Sequence, residues 1–463
     1  MALTLYNTEA RKKQLFTPIN DGEIGLYACG ITVYDYCHIG HARVMVVFDV
    51  ITRFLRSEGW NVNYVRNITD IDDKIINRAD ENGEAYTDLT ARFITAMHED
   101  EDALGVLRPD QEPRATAHIG DIIALIETLE TKGFAYRASN GDVYYRVREF
   151  ERYGRLTGKN LDELLSGVRI DVDAAKEDPR DFALWKAAND GEQSWPSPWG
   201  NGRPGWHIEC SAMSKSCLGA TFDIHGGGPD LPFPHHENEI AQSEAANGCQ
   251  YVNYWIHAGA VRVDGEKMSK SLGNFFTIRD VLEKYSAEVV RYLLIASHYR
   301  SAINYSEDSL KEAKTGLDRF YYTLREYPNV TALSIEQLRA CESHKRFSAV
   351  MNDDFNTREA LSVLYDLVSQ INQATDKAVA EQRVAELLGL AKILGILQLS
   401  PESYLQGEAS DGLSNDAIEA LITERNQAKL DRNWARADEI RDNLTSQGIA
   451  LDDSKDGTRW RRS

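Results

Sequence analysis

Two short runs carry residue types suited to phosphate chemistry: His38-Ile39-Gly40-His41 and, far downstream, Lys267-Met268-Ser269-Lys270-Ser271. Gly25 to Ala28 reads as the end of a short buried strand, and Val44, Val47, Phe48, Ile51 and Leu55 recur at helical spacing until Gly59. The first run therefore lies where a strand gives way to a helix. Backbone N–H groups at a helix start attract anionic phosphate, and Gly40 lets a flat base or ribose approach with no Cβ in the way. The lysines would neutralise charge leaving as pyrophosphate. Alone, each run has a bland reading, as a chance tetrapeptide or a solvated lysine loop. Together and in this order they point to ATP held from both sides.

A second constellation could hold a metal. Cys29 lies a short way before the first run, Cys210 lies far downstream, and His235 and Glu239 are spaced i, i+4 in His235-His236-Glu237-Asn238-Glu239. That spacing on a helix puts both side chains on one face. Two thiolates, one imidazole and one carboxylate suit zinc. Spacing leaves alternatives open, because no Cys-x-x-Cys frames the set and either cysteine can be a small buried apolar residue. His235 can equally cap a helix or sit in a core, and His236 can replace it as a ligand.

These residues need a scaffold, and the chain is long enough to supply one. At 463 residues, with 42% hydrophobic and 27% charged, it is a globular chain of several domains. Val62 and Tyr64 alternate as a second strand, so strand, loop, helix and strand open a doubly wound nucleotide-binding fold with the first run at a strand's carboxyl end. Tyr86, Leu89, Phe93 and Met97 mark a further helix, and the acidic run Glu99 to Asp102 reads as a solvated face. From about residue 112 the texture changes to an insertion. A helix through Ile122, Leu125 and Leu129 ends at Gly133, Asn140-Gly141 forms a hairpin turn, and a Trp- and Pro-rich loop runs to Trp206. After the lysine run the pattern is helical, with stripes at Leu310, Leu317, Phe320, Leu324 and at Leu361, Leu364, Val368, Ile371, as in an antiparallel bundle. Gln406 to Asn415 reads as a linker, followed by one helix, Ile449 to Leu451 and a basic end.

No stretch is apolar enough to span a membrane, and Met1-Ala2-Leu3-Thr4 does not open a signal peptide, so a cytoplasmic protein is expected. Six scattered cysteines fit thiols in a reducing compartment. The net charge of −20 would repel a nucleic acid unless basic residues are concentrated locally. Arg425, Lys429, Arg432 and Arg436 supply such a stripe along one helix face, with Trp434 nearby and Trp460 beside Arg461 and Arg462. Phosphate contacts and stacking on an exposed tryptophan would hold a single-stranded RNA loop. Interleaved Glu424, Asp431, Asp438 and Glu439 equally allow an ordinary salt-bridged helix, and Trp434 can face the core.

The two runs resemble the signatures of class I aminoacyl-tRNA synthetases. Within that class, Cys29-Gly30-Ile31-Thr32-Val33-Tyr34-Asp35, Gly205-Trp206-His207-Ile208-Glu209-Cys210-Ser211, and His225-Gly226-Gly227-Gly228-Pro229-Asp230 leading into His235 to Glu239 resemble the cysteinyl-tRNA synthetases over nearly the whole chain. Pro229 and Pro232 depart from the family pattern in a variable loop. The resemblance implies ligation of L-cysteine to tRNA(Cys) through a cysteinyl-adenylate, with ATP as substrate accompanied by Mg2+ and one zinc on Cys29, Cys210, His235 and Glu239. It further implies that His38 and His41 stabilise displacement at the α-phosphate, with Gly40 beside the nucleotide, while Lys267 and Lys270 follow the pyrophosphate. Cys29, Thr69, Trp206 and His225 would line the cysteine pocket, and Asp230 would hold the ribose. Reading sulfur through zinc would separate cysteine from serine without an editing domain.

The implied organisation is a Rossmann-like catalytic domain in two halves, 1–111 and 204–257, around a connective insertion at 112–203. A stem-contact region with the lysine loop at 258–306 would follow, then a helical-bundle anticodon-binding domain at 307–400 and a small tRNA-binding domain at 416–463. A monomer is expected. A related ligase that joins activated cysteine to an amino-sugar on the mycothiol pathway would share the zinc set and both signatures. It would have no use for the helical and basic carboxyl-terminal third.

Overall fold

The computed structural model describes residues 2–158, 175–189, 191–267, 274–407, 413–454 and 457–462. Lys270 and the rest of the lysine run after Lys267 lie outside them, as does part of the expected linker near Gln406. The chain divides into two compact units: Met1–Val281 with Leu293–Ser306 and Arg346–Ala360, and Leu282–Tyr292 with Glu307–Lys345 and Leu361–Ser463.

The first unit is built on a four-stranded parallel sheet in the order Val252–His257, Phe222–Gly227, Glu23–Thr32, Asn61–Thr69. Leu26, Tyr27, Val65, Ile224 and Ile256 are fully buried, as expected for parallel strands covered on both faces. The helix Ile39–Glu58 links Glu23–Thr32 to its neighbour Asn61–Thr69, whereas Phe222–Gly227 joins on the other side. The strand order reverses between Glu23–Thr32 and Phe222–Gly227, which is where open parallel sheets bind ligands beyond their carboxyl ends. Gly59 closes the helix with φ 102°, a conformation glycine adopts without strain.

The insertion forms a four-stranded antiparallel sheet, Ala135–Arg137, Val143–Tyr145, Phe182–Ala187 and Gly202–Pro204 in that order. A third sheet sets Val261–Val263 between Glu266–Lys267 and Ile303–Tyr305.

The acidic run differs from its expected solvated face. Asp100 and Glu101 are buried on the helix Tyr86–Ala103. Arginines outside the helix draw them in: Arg66 and Arg108 pair with Glu101 at 2.5 and 2.9 Å, and Arg279 with Asp100 at 3.0 Å. Burial still pushes the Glu101 carboxyl up to about 7.

In the second unit, Leu310, Leu317, Phe320 and Leu324 are buried along Glu307–Leu324, and Phe320 stacks on Tyr365 at 4.6 Å. The final segment holds two helices rather than one, Asn415–Leu430 and Trp434–Ser446, followed by a hairpin of Ile449–Ser454 and Gly457–Arg462. The break falls at Arg432, with φ 60°, and Asn433 caps the second helix. Ile418, Ile422, Ile440, Leu444, Ile449 and Trp460 form its core.

Candidate active site and metal centre

Four separate elements deliver the proposed metal donors. Cys29 comes from the strand Glu23–Thr32 and Cys210 from the helix Trp206–Leu218. His235 lies in the turn Pro232–His236, just ahead of the helix Glu237–Asn247 that carries Glu239. Gly30 permits the strand to pass close to its neighbour there, since a Cβ would lie 1.6 Å from the Asn67 carbonyl oxygen. One donor atom from each of the four residues falls within 4.8 Å of the others. Cys29 Sγ is 3.7 Å from Cys210 Sγ and 3.4 Å from Glu239 Oε1, and His235 Nε2 is 3.1 Å from that oxygen.

All four are buried. The hydrogen bond from Cys29 brings the Cys210 thiol down to about 6, while burial pushes Cys29 well up. Burial works against charge on His235, yet Cys210 and Glu239 raise it to about 10. Burial likewise opposes the Glu239 carboxylate, and the neighbouring His225 and His235 hold it well below its usual range. Two sulfurs, an imidazole and a carboxylate in one small volume form a donor set that fits a divalent cation.

Further histidines support this set. His225 Nε2 lies 2.9 Å from Glu239 Oε2, and its ring stacks on Trp255 at 4.6 Å. His225 is fully buried and braces the Glu239 carboxylate. His236 Nε2 is 3.3 Å from Cys29 Sγ, and its Nδ1 meets His257 Nε2 at 2.8 Å; His257 Nδ1 in turn meets the Thr8 hydroxyl at 2.8 Å. Cys29, His225, His236 and Glu239 thus make a second set with donor atoms within 4.8 Å. The Tyr251 hydroxyl donates to Glu239 Oε2 at 2.9 Å. His207 Nδ1 lies 2.9 Å from His235 Nδ1. Sequence reasoning missed His207, Tyr251 and His257. Their one legible signal was placement near a strand end or beside Trp206.

Trp206 is half-exposed, with its ring 4.2 Å from that of His235. Thr69 is buried and donates to Glu209 Oε2 at 3.1 Å. Asp230 follows the strand Phe222–Gly227 on the exposed turn beyond its glycines.

At the helix start, His38 is the N-cap. Its Nδ1 accepts from His41 N at 3.2 Å, and His41 Nδ1 accepts from His38 N at 3.3 Å. The two rings stack with centroids 3.5 Å apart, and burial followed by the neighbouring His38 keeps His41 neutral. Gly40 occupies the first helical turn. Lys267 ends the strand Glu266–Lys267. Beyond the lysine run the chain returns to the first one: Thr277 bridges His38, Ile39 N donates to Phe276 O at 3.2 Å, and Ile278 N donates to Cys37 O at 2.8 Å.

The basic stripe is not a stripe. Arg425 pairs with both Asp453 oxygens at 2.9 and 2.8 Å, and Lys429 reaches the same carboxylate at 2.9 Å. Arg432 sits in the turn between two helices, and Arg436 on the second helix pairs with Glu424 and Glu439. Trp434 is 60% exposed, whereas Trp460 is 1% exposed and its indole donates to Glu419. Trp460 is therefore core and cannot serve as a stacking platform.

The comparisons agree with this architecture. A family model of the class I (C) tRNA synthetase catalytic domain matches residues 15–315, a DALR domain matches 346–398, and a cysteinyl-tRNA ligase anticodon binding domain matches 411–461. A methionyl-tRNA synthetase of Mycobacterium tuberculosis bound by methionyl-adenylate aligns with TM-score 0.58 and 16% identity, over 85% of this chain and 96% of that one. The LeuRS of a tRNA complex from Agrobacterium radiobacter aligns with TM-score 0.59 and 12% identity, over 84% and 85%. At such identity these share the fold, that of a class I aminoacyl-tRNA synthetase. The cysteine–tRNA ligase of Hahella chejuensis is 59% identical over the full length of both chains, and that of Ectopseudomonas mendocina 60% identical over 100% of this chain and 99% of its own. The chain belongs to the cysteine–tRNA ligase family, enzymes that charge tRNA with cysteine.

Proposed function

We propose that the chain works in two steps and reads its amino acid through zinc. In the first, a cysteine carboxylate oxygen attacks the α-phosphorus of Mg2+-bound ATP, the bond to the β-phosphate breaks, and cysteinyl-adenylate and pyrophosphate form. In the second, a terminal ribose hydroxyl of tRNA(Cys) attacks the acyl carbon and AMP leaves.

His38 and His41 donate to the α-phosphate at the helix start, Gly40 leaves room for the nucleotide, and Asp230 takes the ribose hydroxyls. Lys267 and Lys270 follow the pyrophosphate as it departs. Positioning and charge stabilisation carry the first step, because the reacting atoms belong to the substrates. Cys29, Cys210, His235 and Glu239 hold the zinc, while Thr69, Trp206 and His225 shape the space for the amino acid. Bound there, zinc supplies a thiophilic partner for the substrate sulfur, the atom serine lacks. Trp434, Arg432 and Arg425 to Arg436 more broadly belong to the tRNA-binding surface, in a domain spanning 416–463. The halves 1–111 and 204–257, the insertion 112–203, the region 258–306 and the bundle 307–400 divide the remaining work as the resemblance implies. The protein acts in the cytoplasm as a monomer. Among the described residues no helix is long and apolar enough to cross a membrane.

The observation that carries this reading is the convergence of the four donors within 4.8 Å at the carboxyl ends of parallel strands. Cysteine-dependent ATP–pyrophosphate exchange, run beside serine with zinc quantified in the same sample, tests it. Exchange with cysteine only, at about one zinc per chain, is the expected outcome; equal exchange with serine, or full activity without zinc, would falsify it.

A further inference from the structure

Arg43 sits one turn into the helix that His38 caps, and it is 1% exposed. Among the described residues no carboxylate pairs with it. Its Nη2 instead donates to three backbone carbonyls, His298 O at 2.9 Å, Tyr299 O at 3.1 Å and Ser301 O at 3.5 Å. Its Nε has no partner there. Burial lowers its pKa only to about 10, so the guanidinium is charged at neutral pH. A buried cation without a countercharge is costly, and an apolar side chain would suit a helix packed on nearly every side. The folding requirement alone does not explain an arginine here.

What it grips is informative. The segment 298–301 is itself anchored, since Asp354 accepts from the Tyr299 hydroxyl at 2.8 Å and from Arg300 Nε at 2.8 Å. Two residues further on begins Ile303–Tyr305, which pairs with Val261–Val263, and that strand pairs in turn with Glu266–Lys267. Gly259 N donates to Tyr299 O at 2.7 Å, the carbonyl that Arg43 also takes. A Cβ at Gly259 would lie 2.1 Å from Ser301 O, so the seam tolerates only glycine there. Gly265 N donates to Asn304 Oδ1 at 2.7 Å and pins the turn before Lys267. The chain beyond the lysine run is already tied to His38 by the Thr277 bridge. Arg43 supplies the matching tie on the near side.

We propose that Arg43 is a positioning residue for adenylate formation, clamping the segment 298–301, and through it the small sheet that ends at Lys267, to the helix start that carries His38 and His41. This rests on the two-step reading above. The clamp sets the separation between that helix start and the strand ending at Lys267, and in-line transfer is sensitive to errors of about 1 Å.

The test uses full-length Arg43→Met and Arg43→Lys, with kcat and KM for cysteine in pyrophosphate exchange, zinc content and Tm. Arg43→Met is expected to lose about 100-fold in kcat, with KM for cysteine within about twofold and zinc content unchanged. Arg43→Lys, which keeps the charge but lacks the planar guanidinium and its reach, should recover part of that loss. A kcat for Arg43→Met within about twofold of the unsubstituted protein overturns the proposal. So does a parallel loss of kcat, cysteine affinity and zinc, which marks a merely structural residue. If Arg43→Met does not fold, Gly259→Ala decides: it leaves the guanidinium in place but displaces the Ser301 carbonyl, and an unchanged kcat sinks the clamp. Absent exchange in the unsubstituted protein would instead overturn the two-step reading, and this inference with it.

Discussion

Glu239 and Asp453 each gather a dense group of polar partners, under opposite conditions of solvation. Glu239 is fully buried and surrounded by His225, His235, Tyr251 and Cys29. No arginine or lysine pairs with it among the described residues. Asp453 has a side chain 45% exposed and is neutralised in place by Arg425 and Lys429. A fully buried carboxylate with no arginine or lysine beside it costs stability, so its retention points to chemistry. An exposed carboxylate between two cations is an ordinary tie holding a hairpin to a helix. In the carboxyl-terminal segment the ties leave over Trp434 and Leu430, 60% and 77% exposed, with Arg432 at the turn between the helices.

The sharpest way to break this contrast is at the buried group. Cys210→Ser should remove zinc and lower cysteine-dependent exchange by about 1000-fold or more, because the site then lacks the means to read sulfur. Zinc analysis and exchange on the same preparation check it. His225→Gln, which disturbs a donor's support, should cost about 10- to 100-fold. If His236→Gln strips zinc while His235→Gln does not, the second donor set is the one that binds. At the exposed group, truncation after Gln406 should leave exchange within about twofold and lower tRNA charging by about 100-fold, as expected when a large, mostly phosphate-directed surface is lost. Charging at the full rate would leave the two terminal helices without a role in tRNA binding.

The same contrast explains what could be read from residue order. Ile39–Glu58 was legible because Val44, Val47, Phe48, Ile51 and Leu55 keep one period and Gly59 ends it. The break between the last two helices was not, because Arg432 takes a positive φ with no glycine or proline to announce it. Only Asn433, as an N-cap, was a signal. Asp100 and Glu101 read as solvated because their partners lie off the helix, Arg108 just beyond it and Arg66 and Arg279 in remote segments. The metal donors were ambiguous by spacing, with His235 and His236 equivalent, and family resemblance chose between them. The histidines behind them stayed hidden because tertiary packing, not periodicity, brings His257 to His236.

The two tryptophans of the terminal segment give a smaller and cleaner test. Trp434→Ala should raise KM for tRNA by about tenfold, consistent with loss of one stacked base, and leave Tm unchanged. Trp460→Ala should destabilise this segment by about 3–5 kcal/mol through loss of a filled core position, seen as an early unfolding transition. If Trp434→Ala instead lowers Tm and spares the KM, the exposed residue is structural and the contrast fails.

The smallest effect belongs to Asp453, and its sign is fixed by linkage. Hydrogen bonds from Arg425, against some opposing burial, hold its carboxyl far below the usual range. A depressed folded pKa adds stability that is present above the unfolded value, near 3.9 for aspartate, and is lost as pH falls towards the folded value. With the side chain 45% exposed, water screens the pair, and the contribution should not exceed about 1 kcal/mol. Thermal melts of the unsubstituted protein and Asp453→Asn should differ most near neutral pH and in low salt, and converge as the pH drops below about 4. A difference that persisted in acid would mean that Asp453 holds its hairpin through hydrogen-bond geometry rather than charge. The exposed group would then resemble the buried one more closely than its solvation suggests.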